Sequence, residues 1–286
     1  MCGATPSGLA FLRQYYQQHP VDLDDDNFAT LHEWFLRELS TVDSLAGLLN
    51  DVERTSYRNL CSRCHKRYLA IKEMLANKKL LAGLRKAESS AAANLADYSR
   101  NASPSLTTTQ LTSFRSWRDS NTNFQSSNLS ALLDLRNCEN AVMVGSGAFP
   151  GTLLWLRGKF PRVHYVGLDI DADCVKMATE LVAAMGFDNV RFEQFDGQQY
   201  DFTGIDFVYV ANHVVPKKAV LQQIARSPSV HQVVVREPTP VGELLSEAVR
   251  PDLPPTFVPD ASNPVSGLMS YDLLLSRSTS QSAADR

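Results

Sequence analysis

The chain has 286 residues and a mass of 31.7 kDa, with 44% hydrophobic and 21% charged residues, which excludes wholesale disorder and leaves room for two domains. Its net charge of −3, from 28 basic and 31 acidic residues, gives no reason to expect a nucleic-acid partner. The 5 cysteines are few and odd in number, no apolar run approaches the roughly 20 residues of a bilayer-spanning helix, and the first residues lack a basic-then-apolar secretory pattern, so a cytoplasmic protein without a membrane partner is expected.

The first part of the chain reads as helices. Leu31, Trp34, Phe35 and Leu39 repeat at helical spacing, as do Leu45, Leu48, Leu49 and Val52, and then Leu60, Cys64, Tyr68, Ile71 and Leu75. A helical bundle over 8–86 is predicted, forming an N-terminal cap over 1–86. Within it, Cys61-Ser62-Arg63-Cys64-His65 has the spacing of a haem-attachment motif. It falls inside a helical run with Cys64 on the apolar face, and no second ligand pair follows, so neither haem nor zinc is expected. Residues 87–130 are polar with interleaved aromatics, Tyr98, Phe114, Trp117 and Phe124, and read either as a linker or as a pocket edge.

From residue 131 the period changes, and an α/β unit is predicted over 131–277, followed by a polar, disordered tail over 278–286. Strands are predicted at Ala141–Val144 and at runs ending near Asp169, Asp196, Asn212 and Arg236. Helices are predicted at Gly151–Phe160, Ala172–Met185, Lys217–Ala225 and Gly242–Val249, with one or two closing strands in GLMSYDLLLSR. Strands alternating with helices of this length imply a parallel sheet covered on both faces.

The glycines are uneven: Gly3, Gly8, Gly47 and Gly83 precede residue 140, whereas Gly145, Gly147, Gly151, Gly158 and Gly167 crowd a short stretch. Gly145-Ser146-Gly147 follows the first strand of the sheet and leads to a helix, the place where open α/β sheets bind ligands. Asp169 closes the second strand and suits a pair of ribose hydroxyls; Asp196 closes the third and suits an adenine amino group. A glycine turn followed by these two acids, without a full GxGxxG, favours S-adenosylmethionine (SAM) over a nicotinamide cofactor. The fold expected is a class I SAM-dependent Rossmann-like sheet with an N-terminal helical bundle.

The run VMVGSGAFPGTLLWLRGKFPRVHYVGLDIDADCVKMATELV resembles nicotianamine synthases and their opine-metallophore relatives. Gly145, Ser146, Gly147, Pro150, Thr152, Pro161, Tyr165 and Asp169-Ile170-Asp171 stand at matching places, and the strands around Asp196 and Arg236 are similar as well. The resemblance covers residues about 120–276. It implies that Gly145, Ser146, Gly147, Pro150, Asp169, Asp196 and Arg236 bind SAM, taken as a substrate, and that an amine attacks the γ-carbon of its aminocarboxypropyl arm, releasing methylthioadenosine.

The family has a tyrosine shortly before a glutamate ahead of the first strand. Here Phe124 stands near the tyrosine place and Ser130 or Ala131 near the glutamate place. That departure keeps a second route open, in which SAM's own α-amine closes azetidine-2-carboxylate. Asn123, Ser127, Asn128 and Asn212 suit a site that curls SAM for this cyclisation. Asn123, Phe124, Asn212 and His213 are the candidate catalytic residues, His213 as a base or substrate-orienting group at the end of the fourth strand. Lys217 and Lys218 read as a solvated helix face. Arg236 with Glu237 reads either as a carboxylate site or as a structural ion pair. Methyl transfer and a non-catalytic SAM-binding module are the rival functions, and small molecules are the partners in every case.

Overall fold

The computed structural model describes residues 73–85, 133–239, 242–244, 246–262 and 270–278. Its strands are β1 (Asn140–Val144), β2 (His164–Asp169), β3 (Val190–Gln194), β4 (Phe207–Val210), β5 (Gln232–Pro238), β6 (Phe257–Ser262) and β7 (Ser270–Arg277). Its helices are α1 over 73–85, α2 (Gly151–Lys159), α3 (Ala172–Ala184) and α4 (Lys217–Ala225).

The strands form one sheet in the order β3-β2-β1-β4-β5-β7-β6. β1 to β5 are parallel, and β7 and β6 complete the sheet antiparallel. Side chains alternate between faces along each strand. In β1, Ala141 and Met143 join the core under α1, α2 and α3, whereas Val142 and Val144 join the core under α4. Burial on both faces is what makes these strands near-continuous apolar runs. The sheet is therefore the Rossmann-like α/β unit that the sequence predicts. The order in which strands are added reverses between the parallel neighbours β1 and β4, so the cleft of this fold opens at their carboxyl ends.

The structure departs from the predicted elements in four places. β3 stops at Gln194, because the Asp196 carboxylate instead accepts from the backbone and side-chain amides of Gln198. β6 carried no strand signal, since Pro259 and Asp260 interrupt it; an edge strand with a bulge tolerates both. The helix predicted over Gly242–Val249 is only a 3-10 turn at Gly242–Leu244, with a second at Arg250–Asp252. The reason lies in two buried charges. Glu237 accepts from the backbone N–H of Val249 (3.1 Å) and Arg250 (3.0 Å). Lys217 donates to the carbonyl oxygen of Glu247 at 3.0 Å. Side chains have taken the backbone groups that a helix would have paired.

Lys217 is the fourth departure. It was predicted on a solvated face and is 0% exposed. Its ammonium also donates to the Arg236 carbonyl at 2.7 Å and to Ser246 Oγ at 3.5 Å. Three donors thus meet three acceptors, which is how a buried lysine can be accommodated.

The cap over 1–72, the connector over 86–132 and the tail from 279 lie outside the described residues. No described helix is long and apolar enough to cross a membrane, and no metal-binding cluster occurs among the described residues.

Glu237→Ala leaves two buried N–H groups unpaired, and the expected loss is about 2 kcal/mol of stability. Chemical denaturation measures it; an unchanged midpoint would show that the segment does not depend on this anchor.

Candidate functional site

Helix α1 delivers the residues from which the site is built. Glu73, Asn77, Leu80, Leu81 and Leu84 recur at the spacing that places side chains on one helix face. The three leucines are buried in the core with α2 and α3, each contributing roughly 1.5–3 kcal/mol. Asn77 is 2% exposed and donates to the carbonyls of Ala148 (2.7 Å) and Met177 (2.9 Å). One turn earlier, the Glu73 carboxyl accepts from the backbone N–H groups of Phe149 and Ala148. The helix therefore grips the glycine-rich turn by both its donors and its acceptors. Leu75, predicted on the apolar stripe, is 61% exposed, and Glu73 takes the inward place.

The turn itself requires its glycines. Gly145 and Gly147 have φ of 77° and 69°, a region side chains rarely adopt. A Cβ on Gly145 would lie 2.7 Å from Val214 Cγ2 and 3.2 Å from Ala211 Cβ, and one on Gly147 would run into Glu73 Oε2. The first glycine thus lets the turn meet the end of β4, and the second lets it meet Glu73.

Asp169 ties the turn to β2. Its Oδ2 accepts from Gly147 N–H at 2.8 Å and its Oδ1 from Asp171 N–H at 3.0 Å. Asp171 in turn caps α3, accepting from Asp173 and Cys174. Asp196-Gly197 comes alongside because Gly197 has no Cβ, which would lie 2.6 Å from Val144 Cγ1. Ile170 is 73% exposed and Phe195 40%, so each acid has an apolar neighbour open to solvent.

Two carboxyl groups now meet at Gly147. Burial, and then the charge of Asp169, push Glu73 from its ordinary 4.5 up to about 7, against the opposing pull of its two backbone hydrogen bonds. Burial and then Asp169, Asp171 and Glu73 also push the nearby Cys174 thiol up to about 12, so it is a neutral neighbour.

The structure brings Gly145, Ser146, Gly147, Asp169, Asp196 and Asn212 around the carboxyl ends of β1, β2 and β4. Asn212 accepts from Ser246 Oγ at 2.8 Å, with His213 half-buried next to it. Ser146 is buried, and its hydroxyl has no partner among the described residues. Pro150 is buried at the start of α2, where it ends the turn. Arg236 lies on β5, two strands from β1 and so about 10 Å away across the sheet. Its guanidinium donates to Ser270 (3.1 Å) and Asp272 (3.4 Å), and Asp272 also accepts from the Tyr209 hydroxyl at 3.0 Å. Of the two readings of Arg236 with Glu237, the ion pair does not form, because the two side chains leave β5 on opposite faces. Asn123 and Phe124 lie outside the described residues.

Sequence reasoning missed Glu73 because a charged residue in an amphipathic helix reads as solvated. Its regular spacing with Asn77, Leu80, Leu81 and Leu84 was the available signal.

The sequence matches no family profile and no curated protein. Solved structures do match. A crystal structure of MtNAS in complex with MTA and tNA superposes with a TM-score of 0.69 at 19% identity, covering 93% of this chain and 94% of that one. A glutamate-to-glutamine mutant of MtNAS in complex with S-adenosylmethionine gives 0.68 at 18% identity, over 96% and 98% of the two chains. Another crystal structure of the same mutant gives 0.67 at 18%, over 95% and 94%. MtNAS is a nicotianamine synthase, so the chain shares the fold of the family its sequence resembles, along nearly the whole length of both chains.

Because the folded protein keeps the Glu73 proton to about pH 7 while the unfolded chain releases it near 4.5, this group's contribution to stability is fullest below 4.5 and is lost as pH rises through 7. The expected loss is about 3 kcal/mol. Glu73→Gln should remove it, so that the variant gains on the parent between about pH 5 and about pH 8 in denaturation experiments. A difference that stays constant across that range would contradict the buried, titrating carboxyl.

Proposed function

We propose that the chain binds SAM at the carboxyl ends of β1, β2 and β4 and catalyses attack of an amine on the γ-carbon of its aminocarboxypropyl arm. The observation that carries this reading is the Glu73 carboxyl, half-buried against the glycine turn and half-protonated near neutral pH. The full-length likeness in fold to MtNAS, whose structures are in complex with S-adenosylmethionine or with MTA and tNA, supports it.

In this reading Gly145 and Gly147 allow the ligand close to the backbone, the Asp169 carboxylate accepts from the ribose hydroxyls, and Asp196 accepts from the adenine amino group. Glu73, Asp169 and Asp171 give the turn a negative field suited to a sulfonium cation. Ile170 and Phe195 become covered by the purine.

The chemistry follows from these positions. An amine lone pair attacks the γ-carbon in line with the sulfur, the C–S bond breaks, and its electrons neutralise the sulfonium as methylthioadenosine leaves. The nitrogen must shed a proton, and a carboxylate with a pKa close to working pH is an effective acceptor for it. Glu73 is that acceptor. The attacking amine belongs either to an external amino acid or to SAM itself; the first gives a linear aminocarboxypropyl product and the second azetidine-2-carboxylate. The protein is on either route a SAM-dependent transferase or cyclase of small molecules.

Mass spectrometry of the purified protein with SAM tests this. Methylthioadenosine is the expected product; its formation without an added amine identifies the cyclising route. S-adenosylhomocysteine would instead establish a methyltransferase, and SAM binding without turnover against any amine a non-catalytic module. Asp169→Ala should lower SAM affinity at least tenfold, since it removes a charged hydrogen-bonding partner, and unchanged affinity in calorimetry would contradict the ribose assignment.

A further inference from the structure

Lys217, Ser246 and Asn212 form a chain that begins in the core and ends at the site. The Lys217 ammonium is fixed by the carbonyls of Arg236 (2.7 Å) and Glu247 (3.0 Å) and reaches Ser246 Oγ at 3.5 Å. Ser246 is 4% exposed and donates to Asn212 Oδ1 at 2.8 Å. A lysine can only donate, so Ser246 meets it with a lone pair and has its one proton left for Asn212. The amide of Asn212 is thereby oriented: its oxygen faces Ser246, and its NH2 faces away. That NH2 has no partner among the described residues. Asn212 lies between Ala211 and Val214, the two residues that pack against Gly145, so the oriented amide stands beside the glycine turn.

An asparagine at a strand end can serve an amine through its oxygen or a carboxylate through its nitrogen. Here the oxygen is already engaged, and the group offered is a donor. We infer that Ser246 and Lys217 are positioning residues that set Asn212 as a hydrogen-bond donor to the carboxylate of the SAM aminocarboxypropyl arm. Holding the arm by its carboxylate limits the conformations of the chain that carries the γ-carbon, and this inference rests on the SAM reading given above. It also separates the two polar ends of the arm: the carboxylate goes to a neutral donor on β4, and the amine is left toward the acids of the turn.

The test compares the affinity of the full-length protein for SAM and for decarboxylated SAM, which keeps the sulfonium and the amine and lacks the carboxylate. The parent should prefer SAM by roughly tenfold or more, the range of a hydrogen bond to a charged group. Ser246→Ala and Asn212→Ala should each cut that preference severalfold while leaving the affinity for decarboxylated SAM unchanged. Ser246→Thr keeps a hydroxyl and should restore the preference. Equal weakening toward both ligands in Ser246→Ala, or a preference indifferent to Ser246 in a protein that still forms methylthioadenosine, overturns the inference and leaves the SAM reading intact. A parent that binds neither ligand overturns both.

Discussion

Gly147 has the Asp169 carboxylate on its N–H and the Glu73 carboxyl where a Cβ would be. Most of the site's character derives from this single crowded residue. A side chain there would displace the Glu73 carboxyl and strain a backbone whose φ is 69°. With none, two acids from elements far apart in sequence are brought to one turn, and neither has a basic partner among the described residues. Burial, and then the closeness of Asp169, raises the Glu73 pKa toward neutrality, and the arrangement is tolerated because backbone N–H groups of Ala148 and Phe149 face the carboxyl. The leucines of α1 supply apolar burial that offsets the cost of drawing a carboxyl out of water.

The same physics divides labour across the sheet. On the α1 side the end of β1 carries acids and glycines, a surface for a cation. On the α4 side, Lys217 and Glu237 are both buried and both bound to backbone groups of the 246–250 segment. These charges hold an irregular segment in place, and that segment in turn supplies Ser246 to Asn212. Arg236 also has protein partners, Ser270 and Asp272, across β5 and β7.

The α/β unit was legible in the sequence because two independent signals coincide there. The apolar period changes at residue 131, and strand ends carry glycine or aspartate where a parallel sheet opens its cleft. The central strands came out within a residue or two for that reason. What remained hidden depends on contacts between distant segments. Glu73 looks solvated until α1 docks; Lys217 looks solvated until the carbonyls of Arg236 and Glu247 arrive; and the helix expected from Gly242 fails because Glu237 and Lys217 capture its backbone. Each is a charged residue paired with backbone, and local periodicity records side-chain polarity alone. The MtNAS-like fold shows the same division: the glycine-turn half carries the resemblance in sequence, while Glu73 sits on an earlier helix.

In the proposed reading Glu73 is a half-buried, titrating carboxyl facing the position of the SAM sulfonium. Carbon-13 NMR of the side-chain carboxyls, with Glu73→Gln to assign the signal, measures it directly in the free and SAM-bound protein. The account predicts a resonance that titrates at about 7 in the free protein and at lower pH once the cation is bound. A Glu73 carboxyl that titrates at its ordinary 4.5, or one whose titration ignores SAM, would contradict it.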